Sequence, residues 1–255
     1  MHATDLVRKL GRLDLKLIGR DRFLLVMFGL IAYLTLLLRY GLPWLDAYLT
    51  SNGILPTARF PYTVADLYPL IIGFCVLFQG SMIAGTITGF MLIDEKDERT
   101  LNAILVTPVP FTHYVLYRVG VPSVLAVVVV MGMMLTINLA LVPMGQLVLL
   151  ALGAAFTGPL ATLFYGIFAA NKIQGFAMSK FVSVFGWIIL VAWFVDAPWQ
   201  WLFGLFPPFW VCKAYWMALD GEALWWLALL VGIATQIALL AVLVKRFTRV
   251  AHRAA

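Results

Sequence analysis

Residues 67–92 read LYPLIIGFCVLFQGSMIAGTITGFML, a run without a single Asp, Glu, Lys or Arg. A bilayer core needs about 20 apolar residues in helical form. Within it every backbone N–H and C=O must be satisfied inside the segment, which selects a helix. The run therefore predicts a membrane-spanning helix. Working outward, residues 23–42, 119–141, 147–170, 181–195 and 223–244 are similarly apolar, Arg39 near the end of the first being their one charged residue. Hydrophobic residues make up 63% of the chain and charged residues 12%, against roughly 45–50% and about 25% in soluble domains. That balance excludes a water-soluble fold. The expected class is all-α: a polytopic membrane protein with six transmembrane helices, an N-terminal interfacial helix and outer re-entrant helices.

The basic residues set the orientation. Arg8, Lys9, Arg12, Lys16, Arg20 and Arg22 precede the first span, and Lys96, Arg99 and Arg118 lie between the second and third. Lys172 and Lys180 lie between the fourth and fifth, and Lys245, Arg246, Arg249 and Arg253 follow the sixth. These are 15 of the 18 Lys and Arg; Arg39, Arg59 and Lys213 fall on the other side. The richer side, holding both termini, is expected to be the cytoplasm. The net charge of +6 is thus a topology mark, and its scatter over membrane-proximal segments argues against nucleic acid as a partner.

Three units follow: an amphipathic N-terminal helix (1–22), a six-span domain (23–244) and a basic tail (245–255). In the first, Leu6, Leu10, Leu13 and Leu17 recur at helical spacing, with Arg8, Lys9, Arg12 and Lys16 on other faces. Such a helix lies in the interface, with its apolar face against membrane lipids. No small-residue cleavage site follows the first apolar run, so it is expected to be a retained span. Cys75 sits inside an apolar run and is expected, like Cys212, to be a buried free thiol.

The connection 93–113 reads IDEKDERTLNAILVTPVPFTH. A mixed-charge cluster leads into a short amphipathic stretch with Leu101, Ile104, Leu105 and Val106 on one face, and Pro108 and Pro110 end it. This predicts a short helix lying flat under the membrane, suited to docking in a partner's groove. Residues 171–180, NKIQGFAMSK, read as a tight turn. Residues 196–222 read DAPWQWLFGLFPPFWVCKAYWMALDGE, too apolar for an ordinary loop and too broken by Pro207 and Pro208 to span. They are expected to dip into the outer leaflet as re-entrant helices.

Residues 95–108, EKDERTLNAILVTP, resemble the signature of ABC type-2 transporter permeases, approximately Glu-Lys-Glu-x-Gly-Thr-Leu-Glu-x-Leu-x-Val-Thr-Pro. Glu95, Lys96, Thr100, Leu101, Val106, Thr107 and Pro108 match, and Asp97 is conservative. Arg99 replaces the family's Gly and Asn102 its acidic residue, which makes the helix more basic. Residues 171–180 and 205–216 are similar to the bacterial drug-exporter branch, which includes fluoroquinolone-type export permeases. The resemblance implies a non-catalytic permease subunit in a bacterial plasma (inner) membrane. It would form a homodimer or a heterodimer with a sister permease, and bind a separate ABC ATPase that carries ATP and Mg. Glu95, Lys96, Asp97, Glu98, Arg99, Thr100, Leu101, Thr107 and Pro108 would form the ATPase-coupling helix. It also implies a pathway lined by the second and fifth spans, with Phe78, Gln79, Phe185 and Trp187 as lining residues. Phe206, Pro207, Pro208 and Trp210 would form an outer gate.

The residues agree with a split design. No Gly-x-x-x-x-Gly-Lys-Ser/Thr loop is present to cradle phosphates, and no cytoplasmic connection is long enough for an ATPase domain. No cofactor or metal is expected, since His2, His113 and His252 are far apart. An aromatic, apolar lining suits a small hydrophobic or amphipathic substrate. Alternatives are an ion-driven secondary carrier, which would need intramembrane charge that the spans lack, and a family member serving membrane-protein assembly or signalling. Gln79, Ser81, Thr86, Thr88, Asn138, Thr235 and Gln236 supply the mild polarity of the spans. Gly85 and Gly89 form a small-x-x-x-small pair for close helix approach.

Overall fold

A computed structural model of the chain describes residues 11, 12, 14, 16, 19–57, 60–98, 111–196 and 198–254. The leucines of the expected N-terminal helix, Arg8, Lys9, Arg59, and Arg99 to Pro110 lie outside them. Among the described residues there is no strand. Six helices are long and apolar enough to cross a membrane: α1 (Arg22–Ser51), α2 (Ala65–Asp97), α3 (Phe111–Ile137), α4 (Met144–Phe168), α5 (Lys172–Trp193) and residues Trp225–Ala251 of the last helix. Between α5 and that helix lie a 3-10 segment (Trp199–Leu205) and a short helix, α6 (Pro208–Leu219); the last helix is α7 (Trp225–Ala254). The chain is a multi-pass, all-α membrane protein.

Helices α2 and α7 outrun their apolar runs, because Glu95, Lys96 and the Lys and Arg residues after Val244 are good helix formers. Helix α2 carries its charge cluster to Asp97 in helical form. The expected basic tail continues α7 through residue 254. Residues 171–180, expected as a turn, are the start of α5. Asn171 caps that helix, its Oδ1 accepting from Gln174 N at 3.0 Å, and Gln174 Oε1 accepts from Ala170 N at 2.9 Å. The Asn-x-x-Gln spacing of a capping box is there in the sequence.

Helices α2 and α4 form the centre. Of their most apolar stretches 78% and 72% is buried, against 17% for α1 and 22% for α5. Small residues explain the difference. A Cβ at Gly85 would strike the Gly158 carbonyl and come within 2.7 Å of Ala161 Cβ. A Cβ at Gly158 would lie 2.7 Å from the Pro122 carbonyl of α3. Three backbones therefore meet where only glycine fits. Hydroxyls join them: Thr162 donates to Gly85 O at 3.1 Å, and the Thr88 and Thr162 hydroxyls lie 2.7 Å apart. Helix α7 is tied on by Gln236, whose Oε1 accepts from Thr157 at 2.9 Å and whose Nε2 donates to Gly153 O at 3.2 Å. Inside α4 the helix breaks between Ala154 and Thr157, where Pro159 offers no N–H to the Ala155 carbonyl.

The Trp-rich segment folds back as expected. On α6, Phe209, Cys212, Tyr215 and Trp216 are buried. Trp216 Nε1 donates to Pro69 O at 3.1 Å, and Tyr215 OH to Ala140 O at 2.6 Å. Ala140 belongs to the turn after α3, where it and Asn138 take φ near +47° and +50°. Asn138 thus lies past the end of its span. Arg39, at the same end, donates from Nη1 to Ile137 O at 2.7 Å and satisfies a terminal carbonyl of α3.

Candidate functional site

The charged end of α2 is where expectation and geometry can be set side by side. Asp97 and Glu98 are exposed, Asp94 and Lys96 half-buried, and Glu95 buried. One turn of helix therefore sorts the cluster into outward and inward groups. Lys96 Nζ donates to Gly166 O and Ala169 O, both at 2.9 Å, capping α4 with a cation where its dipole is negative. Lys172 at the start of α5 pairs with Asp94 Oδ1 at 3.0 Å and Asp21 Oδ2 at 3.1 Å. Asp21 also caps α1 by accepting from Phe23 N at 2.8 Å. Burial alone would raise its carboxyl, but Lys172 and the Phe23 N–H outweigh burial and hold it below the ordinary carboxylate range.

Glu95 turns inward onto the first turns of α3. Tyr114 and Arg118 stand one above the other there at i, i+4 spacing. Arg118 is 1% exposed and donates to three partners. Its Nη2 pairs with Glu95 Oε1, its Nη1 with Asp14 Oδ2 at 3.1 Å, and its Nε reaches Tyr114 OH at 3.4 Å. Tyr114 OH donates to Glu95 Oε2, and Tyr117 OH donates to Asp14 Oδ2 at 2.7 Å. The guanidinium carbon also sits 5.6 Å and 5.4 Å from the Tyr114 and Tyr117 ring centres. Desolvated charge is tolerated here because its hydrogen-bonding capacity is met by partners. Sequence reading missed Asp14, Tyr114, Tyr117 and the role of Arg118. The available clue was Arg118 itself: it follows the apolar-aromatic stretch FTHYVLY, so a helix running through it needs an acidic partner.

Three of the four expected pathway residues divide between two cavities. Phe78 and Phe185 border an apolar cavity of about 430 Å³ together with Phe206, Pro207 and Pro208. The Phe78 ring lies 5.4 Å from that of Phe206, edge to face, and packs against Gly186 of α5. Gln79 lines a different cavity of about 360 Å³, with Thr86, Ser179 and Ser183. Both Phe78 and Gln79 lie in a π-helical stretch of α2 (Gly73–Gly80), a winding frequent at functional sites. Trp187 is exposed on α5. Trp210 is buried, donating to Gly204 O at 3.0 Å. A third cavity of about 760 Å³ lies among α1, α2 and α3 and includes Asp14, His113 and Tyr117 in its wall. Among the described residues no group of three or more His, Cys, Asp or Glu could hold a metal ion.

The family of Rv2686c-like fluoroquinolones export permease proteins matches residues 14–244, from the buried Asp14 into the sixth span. The chain belongs to this family. It is 32% identical over 195 residues to the fluoroquinolones export permease protein MT2760 of Mycobacterium tuberculosis (strain CDC 1551 / Oshkosh), covering 74% of this chain and 75% of the relative. The fluoroquinolones export permease protein Rv2686c of Mycobacterium tuberculosis (strain ATCC 25618 / H37Rv) matches to the same extent. No solved structure matches. Membership agrees with the resemblance to bacterial drug-export permeases and makes the chain a transport subunit with an export role.

Proposed function

We propose that this permease is the membrane subunit of an ATP-driven ABC type-2 exporter that moves a small hydrophobic or amphipathic compound out of the cytoplasm or inner leaflet. The observation that carries the reading is the family match across residues 14–244, in a chain with no phosphate-cradling loop of its own. On this reading the energy comes from a separate ATPase, which holds ATP and Mg. The connection 99–110 follows α2 directly on the basic side, which is assigned to the cytoplasm. With the exposed Asp97 and Glu98 it presents the docking surface. Two copies, or this chain and a sister permease, enclose the path in the bacterial inner membrane. Phe78 and Phe185, beside Phe206 to Pro208, stand where cargo passes to the outer side. The relatives named for fluoroquinolone export make such drugs the first compounds to test.

Affinity isolation from the native membrane tests the reading. An ATPase with a phosphate-binding loop should co-purify, and Asp97→Lys/Glu98→Lys should release it while the permease stays in the membrane. Isolation of the permease alone under conditions that preserve its transport would contradict it.

A further inference from the structure

We propose that Arg118 is a positioning residue that fastens the N-terminal segment, the end of α2 and the start of α3 into one rigid joint, so that force applied to residues 99–110 moves all three together. This rests on the exporter reading, because it names how that docking segment is held.

The argument starts from chain geometry. Residues 99–110 lie in sequence between Glu95 of α2 and Arg118 of α3, and these two residues, 23 apart in sequence, are an ion pair. The described helices on either side of the segment are therefore tied to the same guanidinium. The other carboxylate on Arg118 is Asp14, 104 residues away in sequence and on the N-terminal segment. Asp14 thus ties the N-terminal segment to the bundle by a buried ion pair.

The chemistry is directional. A guanidinium offers a rigid planar fork that can serve two carboxylates and a hydroxyl at once, which a lysine ammonium on a flexible stem cannot reproduce. Tyr114 and Tyr117 each donate to one of the carboxylates, so both acids are held from two sides. Such a site, with 1% of Arg118 exposed, resists gradual stretching. It holds its geometry or it breaks, which suits a part that transmits displacement.

The test places spin labels at Lys16 and Thr112, both exposed, in the full chain with Cys75→Ser and Cys212→Ala, and measures their separation in lipid nanodiscs. The label at Lys16 reports the N-terminal segment and that at Thr112 the helix that carries Arg118. A single narrow distance is expected without nucleotide, unchanged when the partner ATPase and ATP are added. Asp14→Asn, which spares the Glu95–Arg118 pair, should broaden the distribution and lower export per ATP hydrolysed by about tenfold. Arg118→Lys should do the same if it reaches the membrane in normal amount. A wild-type distance that changes with ATP overturns the proposal. So does an Asp14→Asn protein with both a narrow distance and unchanged export per ATP. The nucleotide-free measurement needs no transport, so absence of ATP-driven export in the wild type would remove the exporter reading while leaving the joint to be judged on its distances.

Discussion

The two ends of this bundle are held by different physics. At the basic end, Arg118, Lys96 and Lys172 bind carboxylates and terminal carbonyls, so charge fixes where α2, α3, α4 and α5 begin or stop. At the Trp-rich end Arg39 caps α3 with a cation, but α6 is held by aromatic packing and neutral hydrogen bonds from Trp216, Tyr215 and Trp210. A charged joint fails abruptly when one partner is lost, because the remaining charge is stranded away from water. An aromatic joint weakens by degrees, since each ring contributes many small contacts. The two ends should therefore respond differently to substitution.

The sharpest way to break this contrast is Arg118→Met. It strands Asp14 and Glu95 and should cost about 3–5 kcal/mol, read as a large drop in thermal unfolding temperature in detergent. If the loss is small, the basic end is not held by charge. Next comes Tyr215→Phe, which leaves the Ala140 carbonyl short of its donor and should cost about 1–3 kcal/mol. Trp216→Phe, which keeps a ring and removes the bond to Pro69 O, should cost about 1 kcal/mol. The smallest effect is expected for Lys172→Met. Its side chain is 39% exposed, so both of its pairs are screened and should contribute less than about 1 kcal/mol. That contribution should fade further at high salt, while the cost of Arg118→Met should not. Equal salt sensitivity of the two would show that Arg118 is reached by solvent.

The six spans were legible because lipid imposes one rule on every residue of a crossing segment, and uninterrupted apolar runs follow from it. The re-entrant Trp-rich segment was legible for a related reason: Pro207 and Pro208 forbid a crossing while the apolar residues forbid water. The glycine crossing at Gly85 could be named as a spacing, but its partner Gly158 could not, since pairing between helices leaves no periodic trace. The charged cluster was read only in part. Its position after α2 is plain in the sequence, yet which of its residues face outward depends on where the helix ends. The helix runs on through Asp97, which turns Glu95 inward. Arg118, counted among the basic residues that set orientation, became legible as the centre of a buried ion-pair cluster only once it was seen to lie inside the helix Phe111–Ile137. Gln79 and Phe78, adjacent in sequence, were expected to line one path, and the winding of α2 gives them to separate cavities.

Transport in sealed vesicles tests the central claim most directly. The permease is reconstituted with the ATPase that co-purifies with it, and movement of a fluorescent amphiphilic drug is followed. The account predicts transport that requires ATP and that ATPase, stops with an ATPase unable to hydrolyse ATP, and survives collapse of the proton gradient. Transport by the permease alone, driven by an imposed ion gradient without ATP, would contradict it.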